Sequence, residues 1–315
     1  MKTVLTSSPI EAAEFIRNGE VVAFPTETVY GLGADIFNQS AIAKIFEAKK
    51  RPADNPLIAH ISSIDQIGEL AAEITTNAQR LIEHFFPGPL TVVLRKSKQV
   101  PDIATAGLDS IGIRMPRNRL ANEFLTACGL PVAAPSANIS GRPSPTTWEA
   151  VYEDLSGRID CILQGEPTKI GLESTVVDCR GDSPIVLRQG AVSIEQLRLV
   201  IPETEVIADD STIVQPSPGM RHRHYSPMAD VDLVDWIIFD APHKHAAYIG
   251  LDTKIETHYL GLSRICSSVE DYAHSLFEFF RECDRAGISL IYCEEVPDEG
   301  IGAALMDRLR RAAEK

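Results

Sequence analysis

The sequence predicts an α/β protein of two units: a larger one with a twisted, mixed sheet flanked by helices, and a smaller C-terminal α/β unit joined by a long linker. Three observations predict it. Short apolar runs alternate with stretches of about ten residues that have helical spacing, the pattern of a mixed α/β sheet. Residues 201–230 lose that periodicity and are rich in Pro, Ser and Asp, which reads as a linker. The chain has 315 residues, against a prior of about 150 per domain. The expected division is 1–200, 201–230 and 231–315.

Residues 9–19 read as the first helix, with Ser7 or Ser8 as N-cap, Pro9 in the first turn and Gly19 at the end. The apolar run 21–24, stopped by Pro25, is a buried strand. Residues 40–49 carry Ile42, Ile45 and Phe46 at helical spacing, with Ser40 as the expected cap. Strand 57–61, helix 74–85 and strand 90–94 follow, the helix stopped by Pro87-Gly88-Pro89. Residues 110–115 alternate weakly up to Pro116, 120–128 form a helix and 132–134 a strand. Further short strands are expected at 159–163, 174–178 and 185–187. Beyond the linker come a strand at 231–239, a strong helix at 269–286, a strand at 289–293 and a closing helix at 301–313.

Net charge is −14, unfavourable to a surface that coats nucleic acid. Its distribution is more informative. Residues 1–200 hold 19 basic and 23 acidic side chains, whereas 231–315 hold 9 and 16. Within the first 200, cations cluster as Lys44, Lys49, Lys50 and Arg51, and again as Arg114, Arg117 and Arg119. The first fifteen residues lack the apolar core of a signal peptide. No window approaches about 18 apolar residues, so no membrane span is expected and the reading is cytoplasmic. The six cysteines form no C-x-x-C and no zinc spacing. Reduced thiols filling core are the plain reading.

The common catalytic signatures are missing. There is no G-x-x-x-x-G-K-[ST], Gly31-Leu-Gly33 lacks a third glycine, and neither G-x-S-x-G nor H-E-x-x-H occurs. His222-x-His224 and His243-x-His245 have no accompanying carboxylates or thiols of metal-site spacing.

Four polar segments instead stand beside strand ends, where α/β sheets usually bind ligands. The first is 24–33, FPTETVYGLG, whose bland alternative is a capped helix start. The second is 49–60, KKRPADNPLIAH, in which prolines flank Arg51 to Asn55 and enforce an extended loop. A fixed loop lowers the entropy cost of aiming cations at an anion, and arginine's fork suits phosphate. His60 ends the strand, where a histidine is more often structural. The third is 134–147, APSANISGRPSPTT, whose small residues let backbone N–H groups approach a phosphate. The fourth pairs 171–178, GLESTVVD, with 186–190, VLRQG.

The segments FPTETVYGLGAD, AKKRPADNPLIAHI, GLDSIGIRMP, APSANISGRPSPT, GLESTVVD and VLRQGA, in that order, resemble the YrdC family. PSPGMRHRHYSP resembles the linker of its long, two-domain form. The resemblance covers about residues 8–230 and implies a YrdC-like sheet; the last 85 residues fit, by position and α/β pattern, a Rossmann-like unit. It also implies a nucleotidyltransferase that makes L-threonylcarbamoyl-AMP from L-threonine, bicarbonate and ATP, releasing pyrophosphate. The product would pass to the machinery that forms N6-threonylcarbamoyladenosine in tRNA next to the anticodon. Such a reaction needs no protein nucleophile, only positioning and charge cancellation on two anions.

By this resemblance, ATP should meet Lys49, Arg51, Asn55, Ser110, Ser136, Asn138, Ser144, Arg188 and, from the linker, Tyr225 acting as a lid. Threonine should meet Thr28, His60, Arg114, the Ala134 backbone and Ser174, with Arg114 on its carboxylate. The linker motif commonly carries Lys and Tyr between Met and His; here it reads Met220-Arg-His-Arg-His-Tyr225 and keeps its cations. Mg²⁺ is expected to arrive with ATP, held mainly by phosphate oxygens rather than by protein ligands. Direct tRNA contact is left open. The rival reading is a non-catalytic RNA-binding module, tested by salt-dependent RNA binding. A third keeps the fold but changes the acceptor, as in carbamoyl-transfer relatives, whose zinc-finger and acylphosphatase-like segments are not recognisable here.

Overall fold

A computed structural model describes residues 2–52, 54–207, 226–235, 237 and 241–314. The order in the first unit is β1 (Val4–Thr6), α1 (Pro9–Arg17), β2 (Val22–Phe24), β3 (Gly31–Asp35), α2 (Gln39–Lys49), β4 (Ile58–His60) and the single-turn α3 (Ile67–Leu70). Then come α4 (Thr76–Phe85), β5 (Leu90–Arg95), the single-turn α5 (Asp102–Thr105), β6 (Ser110–Arg114), α6 (Arg119–Cys128), β7 (Val132–Ala134) and α7 (Trp148–Leu155). β8 (Cys161–Leu163), β9 (Thr175–Asp178), β10 (Ile185–Arg188), α8 (Ile194–Val200) and β11 (Glu205–Val206) complete it. The second unit holds β12 (Asp230–Val234), β13 (His243–Gly250), β14 (Leu260–Ile265), α9 (Val269–Ala286), β15 (Leu290–Glu294) and α10 (Ile301–Ala313).

Local chemistry sets the helix ends. Ser8 caps α1 by accepting from Glu11 N–H, with Pro9 in the first turn. Asn38, not the expected Ser40, caps α2, because its carboxamide accepts from Ala41 N–H. Lys50 closes α2 in the left-handed conformation, φ 51°. That reversal sends Arg51 away from the helix axis into the proline-bounded loop.

The first sheet has eleven strands in the order β1-β8-β2-β3-β7-β4-β6-β5-β9-β10-β11. It is mixed: β4 and β6 are parallel, while β7 runs antiparallel to β4 and β5 to β6. Register sorts the side chains. Ala59, Ile113, Val92 and Ala133 enter the main core on one face, with α2 and α4 residues such as Ile45 and Leu81. On the other face, Phe24, Val132 and Cys161 pack with α1 and α6 residues at one end. Val93, Val176 and Leu187 pack together at the other. Between these two patches the central strands present His60 and Arg114, which are register partners. The site therefore lies on this face, between the two apolar patches.

Several elements differ from expectation. Residues 31–35 form β3 rather than a loop: it pairs with β2 and β7, and its glycines admit Phe24 and Val132, whose atoms a Cβ at Gly33 would meet at 3.0 and 2.6 Å. Trp148–Leu155 and Ile194–Val200 are helices capped by Thr147 and Ser193. The strand expected over 231–239 is Asp230–Val234; residues 236 and 238–240 lie outside the described residues. Residues 205–206 join the first sheet through parallel pairing with β10.

The second sheet is parallel throughout, in the order β12-β15-β13-β14. Its Ala247, Ile249, Ile291 and Cys293 form one core with α9 and α10. Val29 and Leu172 of the first unit are members of that same core. Gly171 shows how close the approach is: it has φ +84°, and a Cβ there would lie 2.5 Å from His274 O on α9. No helix among the described residues is long and apolar enough to cross a membrane.

Candidate active site

The segments between strands converge because their backbones bond to one another. Tyr30 N–H donates to Pro145 O (2.9 Å), Ala137 N–H to Tyr30 O (2.8 Å) and Ser140 N–H to Lys49 O (3.0 Å). Ile170 and Gly171 N–H donate to Glu27 O and Thr28 O. The cleft so formed is lined by Thr28, Tyr30, Arg51, His60, Arg114, Ala134, Ser136, Asn138, Arg142, Ser144, Glu173, Ser174 and Arg188, among others. Four of these are arginines, against the one carboxylate of Glu173. Such a concave site favours an anionic ligand.

One end of the cleft is built around Arg114, at the end of β6. Its Nη1 donates to Thr28 Oγ1 (2.8 Å) and its Nη2 lies 2.8 Å from Glu27 Oε1. Thr26 donates its hydroxyl to Val29 O (2.7 Å), so Thr28 supplies the hydrogen of the 2.8 Å Thr26–Thr28 contact. His60 stands beside Arg114 across the β4–β6 register. Its ring meets Phe24 edge-on, and Nδ1 lies 3.1 Å from Ile58 O. Burial, aided by the Arg114 charge, lowers its pKa to about 3. It is therefore a neutral imidazole at physiological pH. Ser174 closes this end: its Oγ bonds Thr91 Oγ1 (2.8 Å) and receives Arg188 Nη2 (3.2 Å).

The other end is the 136–144 loop. Ser136 Oγ donates to Asn138 Oδ1 (2.6 Å), and the Asn138 amide donates to Ile139 O and Arg142 O (2.9 and 2.8 Å). Lys49 lies behind this loop. Its Nζ donates to Ser136 O and Asn138 O and is wholly buried. Burial above all, then the Arg51 charge, pushes its pKa well below the usual lysine value. Asp154 on α7 ties the loop down from outside, receiving Ile139 N–H (3.2 Å) and pairing with Arg142 (2.7 Å) and Arg281 of α9 (2.9 Å). Burial alone would raise this carboxyl; the two arginines outweigh it and hold it low.

Of the fourteen residues singled out from sequence, ten line the cleft: Thr28, Arg51, His60, Arg114, Ala134, Ser136, Asn138, Ser144, Ser174 and Arg188. Lys49, Asn55 and Ser110 are buried but are not among its lining residues. Asn55 is distinctive, because neither side-chain polar atom has a partner among the described residues. Tyr225, with the motif of 220–225, lies outside the described residues. The next residue, Ser226, donates its N–H to Gly141 O (3.1 Å) in the cleft loop. Sequence reasoning missed Glu27, Arg142 and Glu173. All three stand in the polar segments already singled out, which was the available signal. Among the described residues, no group of three or more His, Cys, Asp or Glu could hold a metal ion.

Comparison with known proteins agrees along the whole length. Residues 14–190 match the Sua5/YciO/YrdC family model, described as telomere recombination. Residues 192–314 match the model described as threonylcarbamoyl-AMP synthase, C-terminal domain. The threonylcarbamoyl-AMP synthase of Pyrococcus abyssi is 44% identical over 320 residues, covering 96% of this chain and 93% of that one. That of Bacillus subtilis is 40% identical, covering 96% and 92%. The crystal structure of P. abyssi Sua5 complexed with L-threonine superposes with a TM-score of 0.89 at 40% identity, over 99% of this chain and 97% of that one.

Proposed function

The chain belongs to the Sua5/YciO/YrdC family, and from that premise we propose that it is a threonylcarbamoyl-AMP synthase acting on L-threonine, bicarbonate and ATP. The observation that carries the reading is the division of one cleft into two anion sites. Arg114, His60, Thr28 and Ser174 enclose one end, and Arg51, Arg142 and the 136–144 loop surround the other. The first fits a small amino acid, the second a nucleotide. The similarity to relatives named threonylcarbamoyl-AMP synthase and to a threonine-bound structure supports the same assignment.

In this reading Arg114 pairs with the threonine carboxylate through its planar fork, oriented by Glu27 and Thr28. Neutral His60 adds no charge to repel the amine. The amine attacks the carbon of bicarbonate, water leaves and a carbamate remains. A carbamate oxygen then attacks the α-phosphorus of ATP, and the bond to the bridging oxygen breaks as pyrophosphate departs. Arg51 and Arg142 offset the phosphate charge, while Lys49 fixes the loop backbone that faces it. Among the described residues, Glu27 is engaged by Arg114 and Glu173 by Arg308. Mg²⁺ arriving with ATP would be held mainly by phosphate oxygens and would supply charge neutralisation. The resemblance implies a lid role for Tyr225. The product would feed tRNA threonylcarbamoyl transfer in the cytoplasm.

The test is pyrophosphate release with each substrate omitted in turn, and mass detection of threonylcarbamoyl-AMP. Release should require all three substrates. Release independent of threonine would overturn the reading.

A further inference from the structure

The second unit reaches the cleft through a line of three side chains. Ser144 Oγ lies 2.6 Å from Glu173 Oε1, and Glu173 Oε2 receives Arg308 Nε at 3.0 Å. Arg308, on α10, is wholly buried. Its Nη2 donates to Gln189 O at 3.0 Å and its Nη1 pairs with Asp307. With every arm of the guanidinium engaged, the Glu173 carboxylate is held in one place. An ionised carboxylate only accepts, so the hydrogen between Ser144 and Glu173 comes from Ser144. A serine has a single hydroxyl hydrogen. Ser144 therefore faces the cleft with oxygen lone pairs alone.

We infer that Arg308 is a positioning residue for nucleotide recognition: acting through Glu173, it holds Ser144 as an acceptor, so that Ser144 receives an N–H or O–H of the nucleoside rather than a phosphate oxygen. This rests on placing the nucleotide at the 136–144 loop, as proposed above. Phosphate oxygens need a donor, which the arginines supply and Ser144, so held, does not. An exocyclic amine or a ribose hydroxyl carries the hydrogen that Ser144 can accept. The second unit thus contributes to the choice of nucleotide from outside the cleft.

Two probes separate the contributions: MgATP, and magnesium tripolyphosphate, which has the phosphates without the nucleoside. Both are titrated calorimetrically into the full chain. Ser144→Ala and Arg308→Met should each weaken MgATP binding about tenfold, the order of one hydrogen bond, and leave tripolyphosphate binding unchanged. The double variant should bind MgATP no more weakly than either single one, because both remove the same contact. Arg308→Lys, which restores a donor to Glu173, should recover most of the affinity. Should Arg308→Met fail to fold, Glu173→Gln carries the same test. Its amide N–H would turn the Ser144 hydrogen toward the cleft and weaken MgATP selectively. Arg285→Ala, which removes the exposed pair with Glu153 between the two units, should leave both affinities unchanged. Equal weakening of the two probes, additive effects, or no effect would overturn the inference. Wild-type protein that binds neither probe would instead overturn the nucleotide reading itself.

Discussion

Glu27 Oε1 and Arg114 Nη2 form a buried ion pair at 2.8 Å, with both side chains less than a tenth exposed. The carboxylate orients the cation assigned to threonine and also compensates its charge. Glu27→Ala would leave Arg114 buried without its counter-ion, which typically costs about 3–5 kcal/mol. Urea denaturation should show that loss, and Glu27→Gln, which keeps an acceptor, should lose less. In steady-state assays Glu27→Gln should raise the threonine KM and leave the ATP KM near wild type. An equal rise in both would mean that Glu27 supports the whole cleft rather than its threonine end.

Buried and neutral, His60 makes stability depend on pH. Its folded pKa of about 3 lies below the unfolded value of about 6.5. Between these values the unfolded chain binds a proton that the folded chain refuses, so stability falls as pH drops through about 6.5 toward 3. Above that window the contribution is fully present. The slope from one such group is about 1.4 kcal/mol per pH unit. His60→Asn should flatten the acid limb of a stability–pH curve measured by urea denaturation. An unchanged limb would show that His60 takes up its proton in the folded state as well.

Much of this fold was readable where local chemistry decides it. A serine cap and Pro9 marked α1, and short apolar runs marked strands such as β2, β4 and β7. β3 was not, because its glycines argue against a strand until Phe24 and Val132 are known to press on them. β13 begins on exposed His243 and Lys244 and shows its apolar half only from Ala246. The same contrast holds in the cleft. Arg51, His60 and Ser136 lie in polar segments beside strands and were legible as candidates. Glu173 gained its meaning from Arg308, 135 residues later, and Glu27 from Arg114. No local pattern carries such a pairing.

Arg51 lines the cleft from the extended loop after α2, and its Nη2 is steadied by Asn55 O and Pro56 O at 3.3 Å each. Backbone carbonyls thus help to aim the guanidinium into the cleft. Arg51→Ala should lower kcat/KM by roughly 2–4 kcal/mol of transition-state stabilisation. Arg51→Lys should recover part of it, since a point charge remains but the fork does not. Near-normal turnover in the alanine variant would contradict the assignment.

Asn55 presents the opposite balance. It is 2% exposed, and neither its amide nitrogen nor its carbonyl oxygen has a partner among the described residues. A buried polar group left unpaired costs about 1–3 kcal/mol, and a side chain of similar volume without polar atoms avoids that cost. Asn55→Leu should therefore raise the Tm of the ligand-free protein. If the amide serves the nucleotide, as the resemblance implies, the same variant should lose ATP affinity, and saturating MgATP should then raise its Tm less than it raises that of the wild type. The two effects have opposite signs, so thermal melts with and without MgATP read both. A variant destabilised without ligand would show that Asn55 contributes to packing, and a variant stabilised equally by MgATP would remove Asn55 from the nucleotide site.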